Sequence, residues 1–235
     1  MSANADVLRS DDFAGSAAQE SPLLQVEVFR GAGRADVWNP EDFAREQIRG
    51  LVQRVFFASV GRPVTQVVFS GAEPHMDVSG LCDQVGQALA LETSAHIAVV
   101  GREMTAELPS WCGGRAAIKS WSRQTAVNLW RVPGFGLREC SEESGTGRYW
   151  ISRLAELRKE FEYAVIEGPA AGISSEAALL GQLTDGIILV LGAHNTRRAT
   201  ARKIKETLEA AQSRILGTVL RERRFPVPER IYRRL

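Results

Sequence analysis

The stretch SGAEPHMDVSG, Ser70 to Gly80, lies between an apolar run, TQVVF, and a stretch with helical spacing, LCDQVGQALALE. A strand, a short loop and a helix in that order is where many α/β proteins hold a phosphate. Glycines let backbone N–H groups converge on the oxygens, and a lysine supplies charge. Here the position is present but the chemistry has changed. Pro74, His75, Met76, Asp77, Val78, Ser79 and Gly80 offer a single glycine, no lysine and a carboxylate. A carboxylate about 4 Å from a phosphate charge costs on the order of 1–4 kcal/mol, before the missing cation is counted.

Other chemistry-bearing residues are scattered. His75, His96 and His194 show no helical i,i+4 spacing to one another, and His96, inside an apolar run, reads as a hydrogen-bonded strand-end residue. Cys82, Cys112 and Cys140 lack the paired spacing of a zinc or redox motif, so they read as reduced thiols, with Cys82 in the core. Arg197, Arg198, Arg202, Lys203 and Lys205 form a basic helix face, for which solvation is the default reading. Trp111, Trp121, Trp130 and Trp150 read as core or interface packing.

The elements that must position these residues are readable from periodicity. In NPED, Asn39 caps a helix, Pro40 suits its first position, and Glu41 and Asp42 complement the dipole. That helix runs through FAREQIRGLVQRVFFA. Strands are expected at 66–70, 96–100, 128–132, 163–167, 186–192 and 215–220, and helices at Val78–Glu92, Tyr149–Phe161, Glu176–Leu183 and Thr196–Gln212. Apolar strands with helical crossovers imply a doubly wound α/β domain, its mostly parallel sheet covered by helices on both faces. The segment Gly101–Val127 reads as a long loop or irregular helix. The expected organisation is a disordered N-terminal tail (1–38), the α/β domain (39–225) and a basic C-terminal arm (226–235).

Composition sets the boundaries. A formal net charge of +1 gives no global pull toward nucleic acid or anionic lipid. No segment approaches the ~18 consecutive apolar residues of a membrane span, so a soluble, cytoplasmic protein is expected.

In open α/β sheets the ligand sits beyond the carboxyl ends of the strands, and the residues there resemble one family. The pattern from Asn39 to Leu220 is similar to the cytoplasmic kinase domain of bacterial tyrosine kinases that regulate capsule and exopolysaccharide synthesis. More broadly it resembles the deviant-Walker, P-loop NTPase-like ATPases that include septum-site and partition proteins. EQIRGLVQRVFF (46–57) is similar to the family's first helix, which packs subunits into a ring. Glu46 and Arg49 fit that interface, whereas Val52 stands at its second arginine. The resemblance implies a glycine-rich Gly-Lys-Ser/Thr loop at Pro74–Gly80, with Val78 at the lysine and Ser79 at the magnesium-holding hydroxyl. It places Gly101, followed by Arg102, where the family has an aspartate. It sets Glu167 at the Walker B aspartate, with Gly168-Pro169-Ala170 following. Polar and basic residues after the penultimate strand correspond to Asn195 and Arg197. The tail offers Tyr232 where family kinases carry a cluster of autophosphorylated tyrosines.

Phosphoryl transfer depends on positioning and charge stabilisation, so simultaneous loss of these parts leaves little catalysis. The expected function is a catalytically impaired tyrosine-kinase-like module that binds proteins in exopolysaccharide synthesis or export. Its implied partners are a membrane polysaccharide copolymerase or a related active kinase, with recruitment to the inner membrane through that partner and a possible homo-oligomer. Two alternatives stand beside it. One is an active tyrosine kinase or ATPase that binds ATP and Mg²⁺ through Ser79 and Glu167, with Arg102 or Arg197 replacing the lysine. The other is a partition-type adaptor that meets membrane or nucleic acid through the basic C-terminal region. Nothing interleaves aromatic and basic residues as nucleic-acid binding would want.

Overall fold

Strand β1 (Gln66–Gly71) is buried along its whole length, as expected of an apolar run with a covered layer on either side. A computed structural model describes residues 40–58, 61–102, 117–134 and 146–221. The expected N-terminal tail, Asn39, Trp111, Cys112, Cys140, Tyr232 and the arm 226–235 lie outside the described residues.

Helix α1 (Pro40–Val52) runs into a π-helical turn, Gln53–Phe57, that buries Val55 and Phe56. After β1 come α2 (Val78–Glu92), β2 (Ile97–Val100), the single-turn α3 (Ile118–Trp121), β3 (Arg123–Ala126) and β4 (Leu129–Val132). The chain continues through α4 (Thr146–Glu160), β5 (Tyr163–Glu167), α5 (Ser175–Leu183), β6 (Gly186–Gly192), α6 (Arg198–Ala210) and β7 (Ile215–Arg221). The sheet order is β3-β4-β2-β5-β1-β6-β7, parallel except for the β3–β4 pair.

Two apolar layers make the fold doubly wound, and strand alternation assigns residues between them. Val67 and Phe69 point into a layer with Val52, Phe56, Leu81, Val85 and Leu89. Val68 points into the other, with Leu154, Leu157, Leu180, Ile204 and Leu208. The expected strand–helix alternation is thus observed, with boundaries within a few residues. Among the described residues, no helix is long and apolar enough to cross a membrane.

Of the segment Gly101–Val127, residues 103–116 lie outside the described residues, and the described part departs from its reading as a loop or irregular helix. It contains α3 and the edge strand β3, whose four residues are all exposed. Neither face of β3 meets a core, so its sequence carries no apolar alternation, and backbone pairing to β4 alone defines it.

The amino end of the sheet is tied by Asp185, 4% exposed. Its carboxylate accepts from the Thr65 and Gln66 N–H groups at 2.9 and 2.8 Å, from Thr65 Oγ1 at 2.9 Å and from Arg158 Nη2 at 3.1 Å. Burial raises the Asp185 pKa, but these donors and the Arg158 charge outweigh it, holding the carboxyl below its ordinary range.

Candidate functional site

The loop Ala72–Asp77 follows β1 at the carboxyl edge of the sheet, between β5 and β6. Its ends are stitched to neighbouring elements. Ala72 N donates to Val190 O at 2.9 Å, Ala171 N to Gly71 O at 2.9 Å, and Ser70 Oγ to Pro169 O at 2.5 Å. A phosphate cradle needs its N–H groups turned outward, yet here two are consumed internally. Val78 N donates to Met76 O at 2.9 Å, and Gly80 N donates to Asp77 Oδ1 at 2.9 Å. Asp77 is therefore the N-cap of α2, its carboxylate taking the place at the positive helix end that an anion would seek.

Val78, at the position expected for the lysine, is 5% exposed. A methyl group on Gly71 would lie 3.0 Å from Met76 Cβ and 3.3 Å from Val78 Cγ2, so both side chains close over the strand end. Pro74 and His75 are exposed at the loop tip, where His75 Nε2 lies 3.1 Å from Glu73 Oε2.

Ser79 is held by a residue that the sequence reading did not single out. Arg131 Nη2 on β4 donates to Ser79 Oγ at 2.9 Å, while its Nη1 engages the carboxylate of Asp83 on α2. Gly101 makes room for this guanidinium, since a methyl there would sit 3.2 Å from Arg131 Nη2. Glu167, at the end of β5, accepts the Arg102 N–H at 3.3 Å. The Arg221 side chain donates from Nη1 to Asp77 O at 2.6 Å and lies 3.5 Å from Asp77 Oδ2. Beneath them the Cys82 thiol is pushed well above its usual range by burial first and by the Glu167 charge second.

Asp77, Val78, Ser79, Gly80, Gly101, Arg102 and Glu167 thus gather at one edge. Asn195 and Arg197 are exposed in the turn that leads from β6 into α6, one strand over from the loop. Glu46 and Arg49 lie elsewhere, both exposed on α1, where Arg49 Nε donates to Glu92 Oε1 on α2 at 2.6 Å. Helix α1 packs directly on α2 there, which brings the Glu92 carboxylate within reach. Arg131, Asp83 and Arg221 are the site residues that sequence reasoning missed. A signal existed for two of them: Arg131 is the one charged residue in the strand NLWRV, and Asp83 follows Ser79 by one helical turn.

The arrangement does not fit a magnesium–triphosphate. Two of the loop's N–H groups are spent on Met76 and Asp77, the position expected for the lysine holds the buried Val78, and the Ser79 hydroxyl is engaged by a guanidinium.

A doubly wound, mostly parallel sheet with a strand–loop–helix unit at its centre defines an α/β domain. No family model matches the chain. The chain is 32% identical over 72 residues, 31% of its own length, to tyrosine-protein kinase CpsD of Streptococcus agalactiae serotype III. The match spans 31% of that relative, less than a third of its length. In fold it is similar to the kinase domain of Escherichia coli tyrosine kinase ETK, with a TM-score of 0.63 at 16% identity, covering 87% of this chain and 88% of that one. The MinD cell division protein of Aquifex aeolicus shares the fold with a TM-score of 0.52 at 14% identity, covering 67% and 69% of the two chains. The resemblance to the bacterial tyrosine kinase domain therefore holds in sequence over one stretch and in fold over most of the domain.

Proposed function

We propose that this domain is a catalytically impaired relative of the bacterial tyrosine kinase domain, retained as a protein-binding or regulatory module in capsule or exopolysaccharide synthesis. The observation that carries the reading is the self-occupied loop: Asp77 caps its own helix at Gly80, and Val78 is buried where a lysine would stand. Positioning and charge are nearly all that a phosphoryl-transfer site contributes, so a loop turned inward retains the scaffold without the chemistry. The partner that fits the family resemblance is the cytoplasmic end of a membrane polysaccharide copolymerase or an active kinase, with the segment 226–235 as a docking arm.

Calorimetric titration of the whole chain with ATP, with and without Mg²⁺, tests the impairment. No heat at micromolar protein is expected, and saturable micromolar binding that disappears in Ser79→Ala or Glu167→Ala would sink it. Pull-down from the native cell, with and without residues 226–235, tests the partner. Capture of a copolymerase or kinase that depends on the arm is the expected result.

A further inference from the structure

We propose that Arg131 is a built-in cation that stands in the place of a divalent metal at the carboxyl edge of the sheet. Strand register decides where it points. Arg131 pairs with Val99 across β4 and β2, and Val99 faces the layer that α2 covers, so the guanidinium projects toward α2. There it meets Ser79 and Asp83, one helical turn apart. A hydroxyl and a carboxylate are the hard oxygen donors that a divalent cation takes. The planar fork of arginine can satisfy both at once from different nitrogens, which a lysine ammonium would do less well. The side chain is 31% exposed, so the contact is partly shielded from solvent.

Neighbouring positions are consistent with this occupant. Gly101 leaves the space that any side chain would crowd, at 3.2 Å from Nη2 and 3.4 Å from Nε. Glu167, a further oxygen donor on β5, is turned to the Arg102 N–H. A guanidinium stays charged at every physiological pH and cannot dissociate, whereas a metal exchanges with solvent. Arg131 thereby fixes the charge of this site whatever the metal concentration. In this role it deepens the proposed function, on which it rests, by giving the vestigial site a permanent ion of its own.

The test compares the full chain with Arg131→Ala, Arg131→Gln and Arg131→Ala/Asp83→Asn. Melting temperature is followed in millimolar Mn²⁺, and Mn²⁺ binding by electron paramagnetic resonance. The wild-type melting temperature should not respond. Arg131→Ala should gain Mn²⁺ binding and a rise of about 2–4 °C, and the double variant should lose both. Where Arg131→Ala does not fold, Arg131→Gln keeps the aliphatic stem and is read in the same way. A wild-type response as large as the variant's, or a folded variant blind to Mn²⁺, overturns the role of Arg131. A fluorescent ATP analogue separates this from the proposed function. Micromolar wild-type binding in EDTA would overturn the impaired-module reading while leaving Arg131 as the site's cation. Absence of wild-type binding, with a folded Arg131→Ala that takes no Mn²⁺, would overturn the role of Arg131 alone.

Discussion

Asp77 and Gly80 fill each other's space: Oδ1 of Asp77 accepts the Gly80 N–H at 2.9 Å, and a methyl on Gly80 would lie 2.6 Å from Oδ2. The close approach that glycine allows is thus taken by the chain's own carboxylate. Asp77→Ala should cost about 1 kcal/mol through the lost cap, seen as a lower urea midpoint at unchanged slope. Gly80→Ala should displace the carboxylate and lose the cap, offsetting the roughly 1 kcal/mol that alanine ordinarily gains over glycine in a helix. An unchanged midpoint in Asp77→Ala would show the cap to be inert.

Val78→Lys tests whether one residue can restore the phosphate site. The position is 5% exposed and packs over Gly71, so an ammonium there loses solvent without gaining a partner. A stability loss of about 2–4 kcal/mol is expected, with no gain in Mg–ATP affinity, because the Asp77 cap and the Arg131–Ser79 contact remain. Chemical denaturation and calorimetry read the two halves separately.

Asp185 sets an acid limit. Its folded carboxyl titrates below the ordinary aspartate range, so its contribution is fully present above the unfolded pKa and is lost as pH falls through the lower folded one. Asp185→Asn should weaken the fold by about 2–4 kcal/mol at neutral pH and flatten the stability–pH curve below about pH 4. A variant curve parallel to the wild type in that range would assign the acid loss elsewhere.

Gly86 lies inside α2, where alanine ordinarily favours a helix by about 1 kcal/mol. Here a methyl would collide with Val99 Cγ2 on β2, a side chain that is itself buried. Gly86→Ala should therefore destabilise by about 1–3 kcal/mol, the propensity gain being outweighed by overpacking. Thermal melting with the opposite sign would mean that α2 can lift from the sheet freely.

Cys82 is fully buried, and its thiol is raised by burial and by Glu167, so little thiolate forms near neutral pH. In a Cys112→Ser/Cys140→Ser variant, reaction with a disulfide reagent should be slow in the native state and become fast in denaturant. Rapid native labelling would place Cys82 at an opening surface.

The strand–helix alternation was legible along the chain because each buried strand is a short apolar run and each crossover has a helical period. TQVVF, YAVIE and GIILVLG became β1, β5 and β6, and the helix at Val78–Glu92 has the bounds its spacing predicts. Strand β3 was not legible, since an edge strand exposed on both faces has no pattern to read. That the loop after β1 holds a carboxylate, Asp77, and no lysine was likewise visible in the residues themselves.

The sequence alone determined the fold class and the residue types of the loop after β1, because both are local: periodicity and side-chain chemistry need no partner to be recognised. Which groups those residues meet was decided in three dimensions. Arg131 lies 52 positions from Ser79, and Arg221 lies 144 from Asp77. The parallel registers of β4 on β2 and of β7 on β6, with α2 docked across the sheet, bring these groups together, and the order of residues does not specify such long-range pairing.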